Sequence, residues 1–77
     1  MNFGEVLESL KKTPERRYAR NGWNGKRMWI SLQPGVEAAD GTPFLPFIYM
    51  RTVRGEMVPW LASQTDMLMD DWTEVVE

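Results

Sequence analysis

Arg27-Met28-Trp29-Ile30-Ser31-Leu32 decides the fold. Met28, Ile30 and Leu32 alternate with Arg27, Trp29 and Ser31, the two-residue period of a strand. Upstream, Arg16 to Arg20 reads as a short strand, joined to this one by a double Asn-Gly loop, Asn21-Gly22-Trp23-Asn24-Gly25. Downstream, Gln33 to Pro46 carries Pro34-Gly35, Asp40-Gly41, Pro43 and Pro46 and reads as a surface loop. Phe47 to Val53 follows as a third strand, with Phe47, Tyr49, Arg51 and Val53 opposite Ile48, Met50 and Thr52, and Arg54-Gly55 as a turn.

At the N-terminal end the period changes. Phe3, Val6, Leu7 and Leu10 fall at i, i+3, i+4 and i+7, one face of a helix of about ten residues. Asn2 and Glu5 form a capping-box pattern, and Thr13-Pro14 ends the helix because a residue before proline avoids the helical region. A second, short helix is expected from Leu61 to about Met69, with Ser63-Gln64-Thr65-Asp66 at its start. Asp70-Asp71 breaks it, and Trp72 to Val76 alternates as a closing strand. The expectation is one domain over residues 1–77, of α+β class: a small, mostly antiparallel sheet with an N-terminal amphipathic helix and a short second helix.

With 77 residues and 43% hydrophobic composition, the chain is long enough to fold but has a thin core. Cysteine and histidine are both absent. That inventory excludes disulfides, thiolate nucleophiles, Cys/His zinc sites and imidazole bases, leaving association with other chains as the way to reinforce a small core. No membrane span, secretion signal or myristoylation start is visible, so a soluble cytoplasmic protein is expected. The net charge of −2 hides an asymmetry. Lys11 to Arg27 holds seven basic residues against Glu15, whereas Glu56 to Glu77 holds six acids and no base. Duplex nucleic acid is a poor partner for an acidic chain. A small anion could dock on the basic segment, or the opposite charges could pair with each other or face solvent.

Trp23 and Trp60 sit in polar turn sequence, where a large indole is either a platform for a flat ligand or a plug packed on its neighbours. Trp29 and Trp72 read instead as core or subunit contacts.

Asn2-Phe3-Gly4-Glu5 with its helix, Ala19-Arg20-Asn21-Gly22-Trp23-Asn24-Gly25-Lys26, Val58-Pro59-Trp60-Leu61-Ala62-Ser63-Gln64-Thr65-Asp66 and Asp71-Trp72 together resemble a family of small phage and bacterial proteins. Its characterised members are the second type of Thoeris anti-defence protein. The resemblance spans almost the whole chain, although the Gln33 to Pro46 loop is shorter than in many relatives. It implies a sponge that sequesters a nucleotide messenger of bacterial immunity without cleaving it. The messenger implied is glycocyclic ADP-ribose for Thoeris, and in some relatives also the cyclic dinucleotides of CBASS. A homotetramer with ligand sites between chains is implied as well, and no cofactor.

The residues supply a chemical rationale for that expectation. Trp23 and Trp60 can stack a base, at roughly 1 to 3 kcal/mol per contact. Asn24, Ser63, Gln64 and Thr65 can reach base edges, sugar hydroxyls or phosphate, and Asp66 can accept from ribose hydroxyls. Arg20, Lys26 or Arg27 can meet phosphates. Blander readings stand beside these: Trp60 begins a buried helix, Ser63 and Asp66 only cap it, Asn24 only enables its turn, and the cations are solvated. Two other functional classes compete. A hydrolase would depend on Asp66, Asp70, Asp71 and Glu56, with Asp70-Asp71 as a conceivable magnesium site; adjacent acids at a helix end are more often solvated, so no enzyme is expected. A structural or protein-interaction module would use exposed Met67 and Met69 as anchors.

Overall fold

A computed structural model of the chain describes residues 1–23 and 27–76. Helix α1 spans Phe3–Lys12 and is capped as the sequence predicts: Asn2 Oδ1 accepts from the Glu5 N–H at 2.8 Å, and Glu5 Oε1 accepts from the Asn2 N–H at 2.8 Å. The strands are β1 (Tyr18–Arg20), β2 (Trp29–Gln33), β3 (Val36–Glu37), β4 (Pro43–Phe44), β5 (Phe47–Arg51), β6 (Met57–Pro59) and β7 (Trp72–Glu74), with α2 (Gln64–Leu68) between the last two. A five-stranded sheet has the order β6-β5-β2-β1-β7, every pairing antiparallel, and β3 with β4 forms a separate two-stranded ribbon. The α+β expectation therefore holds.

The register separates the sheet's faces, because residues directly opposite in an antiparallel pair share a side. Tyr18 pairs with Ile30, Ile30 with Met50 and Met50 with Val58, which puts these four on one face. That face lies under α1, whose Phe3, Val6 and Leu10 form a buried cluster with Tyr18, Ile30 and Trp72. Each such buried side chain contributes roughly 1.5 to 3 kcal/mol. Ser9 and Tyr18 hydroxyls join helix to sheet by a hydrogen bond. The opposite face carries Ala19 with Thr73 and, across β2 and β5, Trp29 with Arg51, Ser31 with Tyr49 and Gln33 with Phe47. This face lies away from α1, and the one-turn 3-10 helix Asn21–Trp23 supplies Trp23 to it.

Several local expectations need correction. β2 alternates in sequence but is buried on both sides at its start, Trp29, Ile30 and Ser31 alike: Ile30 lies under α1, Arg17 lies over the Trp29 ring, and Ser31 is tied to the Pro14 and Arg16 carbonyls. Ser31 tolerates this because its hydroxyl lies 2.7 Å from the carbonyls of both Pro14 and Arg16, which share its single proton. The Gln33 to Pro46 stretch contains the β3-β4 ribbon rather than only loop. Met57–Pro59 is an edge strand that the sequence reading passed over; a proline fits there because the outer edge has no ladder to satisfy. The second helix is one short segment, since Ser63 is its cap and everything before it is excluded. β1, β5 and β7 are each two residues shorter than expected, except that Tyr18 rather than Arg16 opens β1 and the far ends of β5 and β7 are what is lost.

Candidate functional site

On the uncovered face a cleft of about 540 Å³ opens beside the end of β1. Its floor is small: Ala19 and Thr73, paired across β1 and β7, leave the space that larger residues would fill. Its walls are Trp23 and Trp29, and four arginines, Arg17, Arg20, Arg27 and Arg51, complete the lining with Met28 and Val75. The volume lies within the roughly 300 to 1,000 Å³ usual for small-molecule sites.

Each cation is placed by an identifiable device. The Arg17 guanidinium lies over the Trp29 ring, 4.8 Å from its centroid, a cation–π contact that uses the indole as a base plate. Arg51 stands directly opposite Trp29 in the ladder, and its Nη1 donates to the Arg27 carbonyl at 3.0 Å. Arg27 itself has a φ of 57°, the left-handed region that costs a side-chain-bearing residue roughly 1 to 2 kcal/mol. A strained, exposed arginine held by a second arginine is an expensive way to turn a corner unless the side chain serves there.

Arg20 is different. Its Nε and Nη2 donate to Asp71 at 3.0 and 3.3 Å, and its Nη1 donates to Asp66 at 3.0 Å. The side chains are largely buried, 17% exposed for Arg20 and 14% for Asp66. Hydrogen bonds to Asp71, then to Asp66, hold the Arg20 pKa above its ordinary value. For Asp66, burial pushes upward, but the Ser63 N–H and hydroxyl and the Arg20 guanidinium outweigh it and leave the carboxyl below the usual range. The opposite-signed segments of the sequence thus pair in part, and Arg16 with Glu74 at 3.9 Å adds a looser contact.

Behind the cleft is an aromatic cluster. Trp23 meets Trp72 and Trp60 edge-on at 5.4 and 6.3 Å, Trp60 meets Trp72 at 6.1 Å, and Phe3 contacts both Trp60 and Trp72. Trp72 is fully buried and its Nε1–H donates to the Asp66 carbonyl at 2.9 Å. The two tryptophans expected as platforms therefore touch each other. Trp23 serves as wall and plug at once, lining the cleft while packing against the core. Trp60 sits behind it, half-buried, and does not line the cleft.

The other expected site residues divide. Arg27 reaches the cleft with Trp23. Ser63 caps α2, its Oγ accepting from the Asp66 N–H at 3.0 Å while Asp66 Oδ2 accepts from the Ser63 N–H at 2.9 Å. Gln64 and Thr65 are exposed in the first turn of α2 and take no part in the cleft lining. Arg20 is the bridge between the two groups. Asn24 lies outside the described residues. The sequence reading did not single out Arg17, Trp29 or Arg51 as site residues; the signal for Arg51 was its place on the same strand face as Tyr49, which becomes informative only when β5 is known to pair with β2.

The fold and the cleft define a class: a small α+β domain whose bare sheet face gathers guanidinium groups beside indoles. Within that class its family is specific, since residues 1–75 match the family described as the Thoeris anti-defense 2-like domain, and the chain belongs to it. It is 34% identical, over 83 aligned residues, to Thoeris anti-defense 2 of Bacillus phage SP01, with 94% of this chain and 91% of that protein covered. Among the described residues no helix is long and apolar enough to cross a membrane.

Proposed function

We propose that this protein is a phage anti-defence sponge that holds a cyclic nucleotide messenger and releases it chemically unchanged. The messenger class is the glycocyclic ADP-ribose of Thoeris, with the cyclic dinucleotides of CBASS as a second candidate. The observation that carries the reading is the meeting of four arginines and two tryptophans in one recess of a chain from an anti-defence family. Guanidinium groups suit the pyrophosphate, and the Trp23 indole that lines the cleft suits the adenine. Catalysis is not part of the proposal: Asp66 and Asp71, the best-placed carboxylates, are taken up by Arg20 and by the Ser63 cap.

A sponge competes with the messenger's receptor, so nanomolar affinity, about −12 kcal/mol, is a reasonable minimum. An open cleft on one chain falls short of the desolvation this requires. We therefore assign the complete site to an oligomer, a homotetramer by family resemblance, in which a second copy closes the cleft and brings Trp60, Ser63, Gln64 and Thr65 toward the ligand. Exposed Leu61 (92%), Leu68 (81%), Met67 and Met69 flank those residues and give a second copy an apolar surface to bury. The protein would act in the cytoplasm of the infected cell, where the messenger is made.

The test is to incubate the protein with glycocyclic ADP-ribose, remove free ligand, denature, and identify what is released. Intact messenger, at a fixed ratio to a chain that sediments as an oligomer, is the expected result. Recovery of a cleaved product identifies an enzyme, and an empty protein with no thermal shift favours an interaction module instead.

A further inference from the structure

Arg20 contributes to the cleft lining, yet its guanidinium is committed on its far side to Asp66 and Asp71. The Asp66 side chain is 14% exposed and that of Asp71 28%, so water screens these charges only partly. One cation against two carboxylates leaves the group with a formal charge of −1 directly behind a recess that Arg17, Arg27 and Arg51 also line. Its sign is opposite to theirs. Arg20 pairs with Trp72 across β1 and β7, so its side chain leaves β1 on the α1 side while the residue still borders the cleft. A ligand anion in the recess experiences the guanidinium and the two carboxylates together, and the carboxylates reduce the gain from each additional negative charge.

We propose that the Arg20–Asp66–Asp71 group sets the ligand charge that the cleft prefers, favouring a dianion such as a pyrophosphate diester over ligands that carry further terminal-phosphate charge. Arg20 is on this account a positioning and charge-setting residue, holding β1, α2 and the approach to β7 together, while phosphate binding falls to its neighbours. The inference rests on the cleft being an anion site. It adds discrimination: a messenger competes in the cell with abundant, more highly charged nucleotides, and a site without this offsetting charge would fill with them.

The experiment compares the affinities of ADP-ribose and ATP, two and about four charges, for the full chain and its variants by calorimetric titration, with thermal unfolding measured alongside. The shape difference between the probes cancels when each variant's ratio is compared with the wild type's. Asp71→Asn removes one carboxylate charge, and the ratio is expected to move toward ATP by about three- to tenfold. Asp66→Asn keeps an amide oxygen that can accept from the Ser63 N–H, so it provides the same readout should the first variant not fold. Asp71→Glu, which conserves the charge, is expected to keep the ratio within about twofold of wild type even where it lowers the melting temperature.

A ratio unmoved in both Asn variants, or affinities that fall together in step with stability, overturns the charge assignment and leaves the group a structural clamp. Wild-type protein that holds the messenger but neither probe overturns this inference alone. A ratio shift in a protein that ignores the messenger overturns the sponge reading and retains the charge assignment. Failure to bind messenger or probes overturns both.

Discussion

The two faces of the five-stranded sheet are made by the same strands and differ in what lies over them. On one, α1 drives Phe3, Val6 and Leu10 into Tyr18, Ile30 and Trp72 until all are buried. On the other, arginines stand with half-buried Trp23 and buried Trp29 around an open cleft. A polar, strained and cationic surface adds little to folding, so the covered face must supply most of the stability and the bare face is available for recognition. Trp23 is where the two meet, one side on Trp72 and the other in the cleft.

The most severe way to test the division is Trp72→Ala. Its indole is fully buried, contacts three other rings and donates a hydrogen bond, so its loss is expected to cost about 3 to 5 kcal/mol and to leave a domain of this size largely unfolded by chemical denaturation. Trp23→Ala is expected to fail on both counts, losing about 2 kcal/mol of stability together with messenger binding, because the residue belongs to both regions. Removing the α2 cap with Ser63→Ala should cost about 1 kcal/mol, read as a fall of roughly 4 to 8 °C in Tm. Arg27→Gly sharpens the contrast from the other side. Relief of the left-handed backbone offsets the flexibility of glycine, so Tm should hold or rise slightly while affinity for the messenger falls.

The charge clamp also predicts a pH dependence. Asp66 is held below its ordinary value of 3.8, so its contribution is present at neutral pH and is lost as pH falls from about 4 through its lower folded value. Arg20 is held above its ordinary value by Asp71 and Asp66, so it stays charged over the whole range and the acid loss comes from the carboxylate side of the clamp. Thermal unfolding followed from pH 7 to pH 3 should therefore show a drop below about pH 4 that is smaller in Asp66→Asn.

Much of the fold was legible because local signals agreed with the tertiary structure. The Asn2–Glu5 capping box, the Phe3-Val6-Leu7-Leu10 stripe and the alternation from Arg27 onward each reported their element directly. β6 was not legible, because Val58-Pro59 precedes Trp60-Leu61 and reads as a helix entrance until the β5 edge is there to pair with it. The cleft was half legible. Trp23 and Arg27 come from one segment and were visible together, whereas Arg17 and Arg51 join them only through the β1-β2-β5 register. Ser63 and Asp66 had two readings from the start, and the structure places both in the cap.

The bare face as the functional one is tested most directly by titrating glycocyclic ADP-ribose into the wild-type protein and into Arg51→Met, which keeps an unbranched apolar stem where Arg51 packs. The account predicts nanomolar binding by the wild type and at least about tenfold weaker binding by the variant, with Tm changed by no more than a few degrees. Equal affinity in the two proteins, or a loss of binding that merely follows a loss of folding, would contradict it.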